Sequence, residues 1–272
     1  MSDVSAMDPS EVKECCANLY GHPLVQQLLG DSFHPGGTAL TERLGRMLEL
    51  KSGTQVLDVA SGRGTSAIHL ARVFGCSVVG IDLSEINVKH ASEEAIKQGV
   101  GHLVSFVTGD AENLPLRKGS FDVVICECAL CTFPSKPLAL NEFFRVLKPE
   151  GRVGVSDLTR SGTLSQDLQG LLSWVACIAD ALATGEYLEL LDQAGFDAKL
   201  GYTAVDEALM EMVATIQKNL VGAKIMKGLG KLNLPESVNL DEAVRVANAA
   251  RAAIEAKQLG YGVFIGIKPK LA

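Results

Sequence analysis

Apolar residues change their spacing along this chain in a regular way. Short, nearly continuous apolar runs occupy 55–59, 77–81, 103–108, 121–125 and 151–156. Runs of that length suit strands buried on both faces. Between them apolar positions recur at helical spacing, so strand and helix alternate. Such alternation predicts an α/β fold, a doubly wound parallel sheet with helices on both faces. A helix over 40–48 leads into the first strand, and a helix over 186–194 ends at Gly195, a residue suited to a helix stop. A sixth strand is expected near 197–203, and the run 262–267 is the last.

The stretch between those last two strands is too long for an ordinary loop. Residues 205–220 and 240–258 have helical patterns, with a Gly- and Pro-containing joint at 224–235. The sixth strand is expected to run parallel to its neighbours, which puts its carboxyl end on the ligand side of the sheet. An insertion starting there has two readings: a packing or dimerisation appendage, or a lid that shields a reaction from water. The organisation expected is an N-terminal helical cap over 1–48, a core over 49–203, the insertion or lid over 204–260, and the last core strand over 261–272.

The stretch Val56-Leu57-Asp58-Val59-Ala60-Ser61-Gly62-Arg63-Gly64-Thr65-Ser66 reads as a buried strand, a glycine turn and a helix start. The glycines let backbone pass close to a ligand, and the helix start offers free N–H groups. Val78-Val79-Gly80-Ile81-Asp82 completes a βαβ unit, whose terminal carboxylate can accept from a ribose diol. That is a nucleoside-binding arrangement. A dinucleotide site would carry a third glycine; here the position is Ala67, and Asp58 stands ahead of the turn.

This turn resembles motif I of the class I S-adenosylmethionine (SAM) methyltransferases. Thr108-Gly109-Asp110-Ala111-Glu112-Asn113-Leu114-Pro115 resembles their adenine-binding segment, and Phe143-Phe144-Arg145-Val146-Leu147-Lys148-Pro149-Glu150-Gly151-Arg152 their helix–turn–strand signature. The resemblance implies the Rossmann-like sheet of that class, with an antiparallel last strand, and SAM as cofactor. It implies that Asp58, Ala60, Ser61, Gly62 and Gly64 shape the cofactor loop, Asp82 and Leu83 hold the ribose, and Asp110 and Ala111 the adenine. Glu127 at the end of the fourth strand joins that wall. His34, in Phe33-His34-Pro35-Gly36-Gly37, lies in a region that closes over SAM in the class. It either touches the sulfonium or carboxylate, or is a structural turn histidine.

Charge and composition narrow the partners. The chain has 272 residues, and 25 basic against 32 acidic residues leave a net charge of −7. Without a basic run to track phosphates, nucleic acid is excluded as the expected partner. The longest apolar stretches are too short or too interrupted to span a membrane, and Met1–Asp8 lacks the basic and apolar regions of a signal peptide. A cytoplasmic protein is expected, with its seven cysteines reduced. Cys76, inside a strand run, reads as core.

Three thiols cluster in Cys126-Glu127-Cys128-Ala129-Leu130-Cys131, directly after the fourth strand. Their C-x-C and C-x-x-C spacings match metal-ligand spacings. The segment Ser173-Trp174-Val175-Ala176-Cys177-Ile178-Ala179-Asp180-Ala181-Leu182, followed by Glu186-Tyr187-Leu188-Glu189-Leu190-Leu191-Asp192-Gln193-Ala194-Gly195-Phe196, resembles the equivalent region of the arsenite methyltransferases. The end of the fourth strand resembles that family too, with Cys128 at its cysteine position. The resemblance implies that Cys128 and Cys177 are metalloid ligands holding trivalent arsenic, a soft centre suited to thiolates. A third thiol comes from Cys131, Cys126, Cys16 or Cys15. The acceptor then is arsenic, free or as a glutathione adduct, or a similar selenium or antimony species. Three departures stand out: no cysteine in the glycine loop, none matching the family's N-terminal third ligand, and none after Cys177.

Two rival readings remain open. Quinone-like C- or O-methyltransferases share the Gly109-Asp110-Ala111 and Arg145-Val146-Leu147-Lys148-Pro149 segments, with the cysteines as packing. The other is a non-catalytic metalloid or zinc binder, in which zinc would need four tetrahedral ligands. Other residues also have two readings: Asp157 orients a substrate or caps a helix, Trp174 packs or stacks, and Tyr20 closes over the cofactor or does not.

Overall fold

The computed structural model describes Lys13, residues 33–169, Ser173, and residues 177–198, 201–231 and 239–270. Helix α1 (Gly37–Met47) precedes strand β1 (Gln55–Val59). There follow α2 (Thr65–Phe74), β2 (Ser77–Asp82), α3 (Glu85–Lys97), β3 (Val104–Thr108), β4 (Phe121–Glu127), α4 (Lys136–Val146) and β5 (Leu147–Arg160). Helix α5 (Thr184–Gln193) leads to β6 (Tyr202–Ala204), then α6 (Asp206–Gly228), α7 (Leu240–Glu255) and β7 (Leu259–Ile267). Side-chain caps fix some starts. Ser84 accepts from Asn87 N–H at α3, and Asn239 accepts from the Asp241 and Glu242 N–H groups at α7, satisfying donors a helix start leaves open.

The seven strands form one sheet in the order β3-β2-β1-β4-β5-β7-β6. The first five are parallel, and β7 runs antiparallel to β5 from Arg152↔Ile267 to Arg160↔Leu259. This is the expected sheet with its antiparallel last strand. Order reverses at β1, whose chain continuation goes to β2 on one side while β4 lies on the other. The carboxyl ends of β1 and β4 therefore open a crevice, where α/β sheets take their ligands.

Two apolar clusters cover the faces of the sheet. One joins Leu40, Leu44 and Leu48 of α1 with Ile125, Leu158 and Tyr261, and also contains Cys131 and Cys177. The other joins Leu57, Val59, Val124 and Cys126 with Phe143, Tyr187 and Phe264. Helix α1 thus packs into the main core.

Several boundaries differ from expectation. β6 has three residues and, among the described residues, pairs only with β7, antiparallel; its neighbour is therefore not parallel to it, although it points the same way as β1–β5. Helix α6 runs on through Gly222 to Gly228, into the 224–235 stretch where a joint was expected. A helical glycine costs roughly 1 kcal/mol, and packing of Leu220 against Leu240 and Ala247 of α7 offsets it. β7 starts at Leu259, because its antiparallel pairing with β5 extends over nine residue pairs. Leu209 and Val213 of α6 and Val246 and Ala250 of α7 enter the cluster that holds Cys131 and Cys177. None of the described residues of 204–260 lines the cavity described next.

Candidate active site

A cavity of about 150 Å³ opens at the carboxyl ends of β1, β2 and β4. Asp58 to Arg63, the end of β1 and the turn after it, form its floor, Asp82 and Leu83 one wall, and Gly109 to Glu112 the end after β3. Glu127, Cys128, Ala129 and the turn Thr132–Pro134 form the opposite wall, with Phe33, His34 and Lys13 above. Ten of the eleven expected cofactor residues therefore share one space. Gly64 is the exception.

The glycine turn is held by its own backbone and by the next strand. Ser61 N–H donates to Ile81 O at 3.0 Å, Gly64 N–H to Ser61 O at 2.9 Å, and Gly62 N–H to Asp82 Oδ2 at 2.8 Å. Gly62 lines the cavity with φ 53°. Gly64 has φ 81°, and a Cβ there would lie 2.5 Å from Phe106 Cζ and 2.8 Å from Ala91 Cβ. Its glycine serves close packing of α2 against β3 and α3, not the cavity. Ala60 takes a left-handed φ of 57° without being glycine, a strained conformation of the kind that gathers at ligand sites.

Asp82 is aimed by three donors: Gly62 N–H, Ser84 N–H at 2.9 Å and Asn87 Nδ2 at 3.3 Å. Burial raises its carboxyl, and those donors oppose the shift. Burial, then the neighbouring Glu127 and Asp82 charges, hold Asp58 well above the usual carboxylate range. At the β3 end, Asp110 accepts from Glu112 N–H at 2.9 Å and from Lys13 Nζ at 2.8 Å. Lys13 also reaches Glu112 Oε2 at 2.6 Å.

Glu127 Oε2 collects Ser66 Oγ at 2.7 Å and Thr41 Oγ1 at 3.0 Å, with His34 Nε2 at 3.5 Å. His34 Nε2 also lies 3.3 Å from both hydroxyls. Four buried atoms of cavity-lining residues have no partner among the described residues: Asp58 Oδ2, Ser61 Oγ, Asn87 Oδ1 and Glu127 Oε1. Orphaned acceptors of this kind call for a ligand rich in donors and positive charge. SAM, with an ammonium, a sulfonium, a ribose diol and an adenine amine, fits that set.

Behind the β4 wall lie the thiols. Cys128 lines the cavity; Cys131 and Cys177 are almost fully buried behind it. Cys177 Sγ–H donates to Cys128 O at 3.2 Å across a separation of 49 residues. Hydrogen bonding with the Cys177 thiol and burial hold the Cys128 thiol well above its ordinary range, and burial and the same thiol do so for Cys131. Cys128 and Cys177 both have left-handed backbones, φ 54° and 64°. Asp157, fully buried within β5, accepts from Cys131 N–H at 2.8 Å and Leu158 N–H at 2.9 Å. It is no helix cap; it pins the turn that carries Cys131. Burial and the nearby Cys177 push its carboxyl up to about 7.

Cys126 points the other way, into the second apolar cluster, and is a packing residue. Cys76 is core as expected, its thiol pushed up to about 11 by burial. Cys15, Cys16, Tyr20 and Trp174 lie outside the described residues. Among the described residues no three His, Cys, Asp or Glu side chains are grouped to hold a metal ion; the tie between the two thiol segments is the Cys177–Cys128 contact.

Sequence comparisons agree with this geometry. Residues 50–195 match the family model described as a methyltransferase domain. The chain belongs to the class I SAM-dependent methyltransferases. It is 31% identical over 189 residues to the 27-O-demethylrifamycin SV methyltransferase of Amycolatopsis mediterranei, covering 64% of this chain and 70% of that one. It is 32% identical over 149 residues to the arsenite methyltransferase of Halobacterium salinarum, covering 54% of this chain but 38% of that one. Among solved structures, the Haemonchus contortus phosphoethanolamine N-methyltransferase 2, in complex with phosphomonomethylethanolamine and S-adenosylhomocysteine (SAH), superposes with a TM-score of 0.78. That match is 20% identical and covers 98% of this chain and 61% of the other. The chain is thus an enzyme of the methyltransferase class with SAM as cosubstrate, while its relatives act on unlike acceptors.

Sequence reading missed Lys13, Phe33, Arg63, Ser66, Asn87 and Glu112 on the cavity wall. Ser66 and Thr65 had a local signal, since they open the helix after the glycine turn. Lys13 had none, lying 97 residues from its Asp110 partner.

Proposed function

We propose that this enzyme transfers the SAM methyl group to trivalent arsenic, or to a similarly thiophilic centre, held by Cys128, Cys177 and Cys131. The observation that carries the reading is the contact of Cys177 Sγ with Cys128 O, from segments far apart in sequence, behind the cavity wall that Cys128 lines, with Cys131 buried in the same cluster. Packing alone does not require two of the three to adopt strained left-handed backbones.

The raised thiols are compatible with this chemistry. Arsenious acid condenses with three protonated thiols: three As–O bonds break, three As–S bonds form, and each S–H proton leaves with a hydroxyl as water. No charge is left in the buried pocket, which suits its low polarity. SAM supplies an electrophilic methyl group when bound. The thiols hold the acceptor, and its lone pair needs no general base. Positioning of this kind is worth about 7–11 kcal/mol in favourable cases.

Turnover with As(III), SAM and excess glutathione, read by mass of methylated arsenic, tests the reading. Product from wild type that disappears in Cys177→Ser is expected. No product, with SAM binding intact, overturns it. The apolar setting of Cys131 and Cys177 supports a second reading, methylation of a small organic acceptor. Under that reading thiol blocking spares turnover of such an acceptor.

A further inference from the structure

We infer that Glu127 is the residue by which this enzyme distinguishes SAM from its product SAH, through the carboxylate oxygen that the protein leaves free.

Among the described residues, every partner of the Glu127 side chain falls on one oxygen. Ser66, Thr41 and His34 all address Oε2, while Oε1 is buried with no partner among the described residues. The side chain is 3% exposed and lines the cavity. A carboxylate so deep is costly unless a complementary charge meets it, and the donors on Oε2 fix its direction rather than fill Oε1.

Position along the sheet decides which part of the ligand Oε1 meets. Asp110 and Ala111 follow β3, Asp82 ends β2, and the glycine turn follows β1, an order that carries a nucleoside from base to ribose. Glu127 closes β4, on the far side of β1 from the ribose carboxylate, and precedes Cys128, the thiol nearest the cavity. It therefore serves the sulfur end of the cosubstrate. SAM and SAH share adenine, ribose, ammonium and carboxylate. They differ by the methyl group and the positive charge on sulfur, so a buried negative oxygen at that end favours the charged member. The consequence is release of product once the methyl has left. Nothing in this depends on the identity of the acceptor.

The test is equilibrium calorimetry of SAM and of SAH with the full chain, as wild type and Glu127→Gln. The variant keeps the shape and one acceptor oxygen and removes the charge. SAM affinity should fall by about tenfold to a hundredfold, the range for a hydrogen bond to a charged group, and SAH affinity by less than about threefold. Equal losses for both ligands would assign Oε1 to the shared ammonium and overturn the inference, as would no loss for either. Ser66→Ala provides a control if Glu127→Gln does not fold. It leaves the charge in place, so the wild-type ratio of SAM to SAH affinity should persist; a ratio that collapses would show that the hydroxyl, not the carboxylate, discriminates.

Discussion

Replacing Gly64 with alanine separates packing from ligand binding in the glycine turn. At φ 81° an alanine adopts a left-handed backbone, costing roughly 1–2 kcal/mol. Its Cβ would also sit 2.5 Å from Phe106 Cζ and 2.8 Å from Ala91 Cβ. The Phe106 ring can swing slightly, but Ala91 is fixed on the buried side of α3, so overpacking adds about 1–3 kcal/mol. The sum, about 3 kcal/mol, corresponds to a Tm lower by roughly 6–12 °C in a domain of this size. Gly62→Ala provides the contrast. There the nearest atom to the new Cβ is Phe33 Cδ2 at 3.3 Å, so stability falls by roughly 1–2 kcal/mol of backbone strain. The new methyl sits on the cavity wall, so SAM affinity should fall about tenfold, equivalent to about 1.4 kcal/mol. Thermal unfolding and SAM calorimetry on both variants check this. A Gly64→Ala protein with wild-type Tm, or one that stays folded yet binds SAM as poorly as Gly62→Ala, would refute the division of roles.

Further outcomes follow from other parts of the site. Asp82→Ala removes the acceptor that orients the glycine turn and lines the cavity, so SAM affinity should drop by about 1.5–3 kcal/mol in calorimetry. Cys126→Ala, in the core, should cost about 1–2 kcal/mol in urea unfolding and leave methyl transfer unchanged. Asp157 keeps its proton in the folded state up to about pH 7, whereas the unfolded carboxyl loses it near pH 4. The folded protein then binds more protons between those values, and stability contributed by this group falls as pH rises through that window. Asp157→Asn should flatten the pH dependence there by about 1.4 kcal/mol per pH unit in urea titrations, even though it loses one backbone acceptor.

Much of the fold was legible because the parallel strands are short apolar runs set between helical spacings, and those periods follow directly from burial. The cofactor wall was legible for the same reason: a glycine turn and an acidic strand end carry their chemistry in adjacent residues. What escaped depends on distance or on a local break in period. Lys13 reaches Asp110 from the far N-terminal part of the chain, and no local pattern marks it. Thr41 and Ser66 converge on Glu127 from two helices. Cys126 and Cys128 alternate as if they shared a face. The left-handed turn at Cys128 sends it instead toward the first cluster, while Cys126 enters the second. Helix α6 outran its expected end because α7 packs along it, a tertiary gain that exceeds the propensity cost of glycine.

The arsenic reading rests on three sulfurs reaching one atom, and X-ray absorption at the arsenic edge of the As(III)-loaded, reduced protein measures that directly. Three sulfur neighbours in wild type and fewer in Cys177→Ser and in Cys131→Ser are the expected result. Arsenic with oxygen neighbours in wild type, or no arsenic retained, would contradict it.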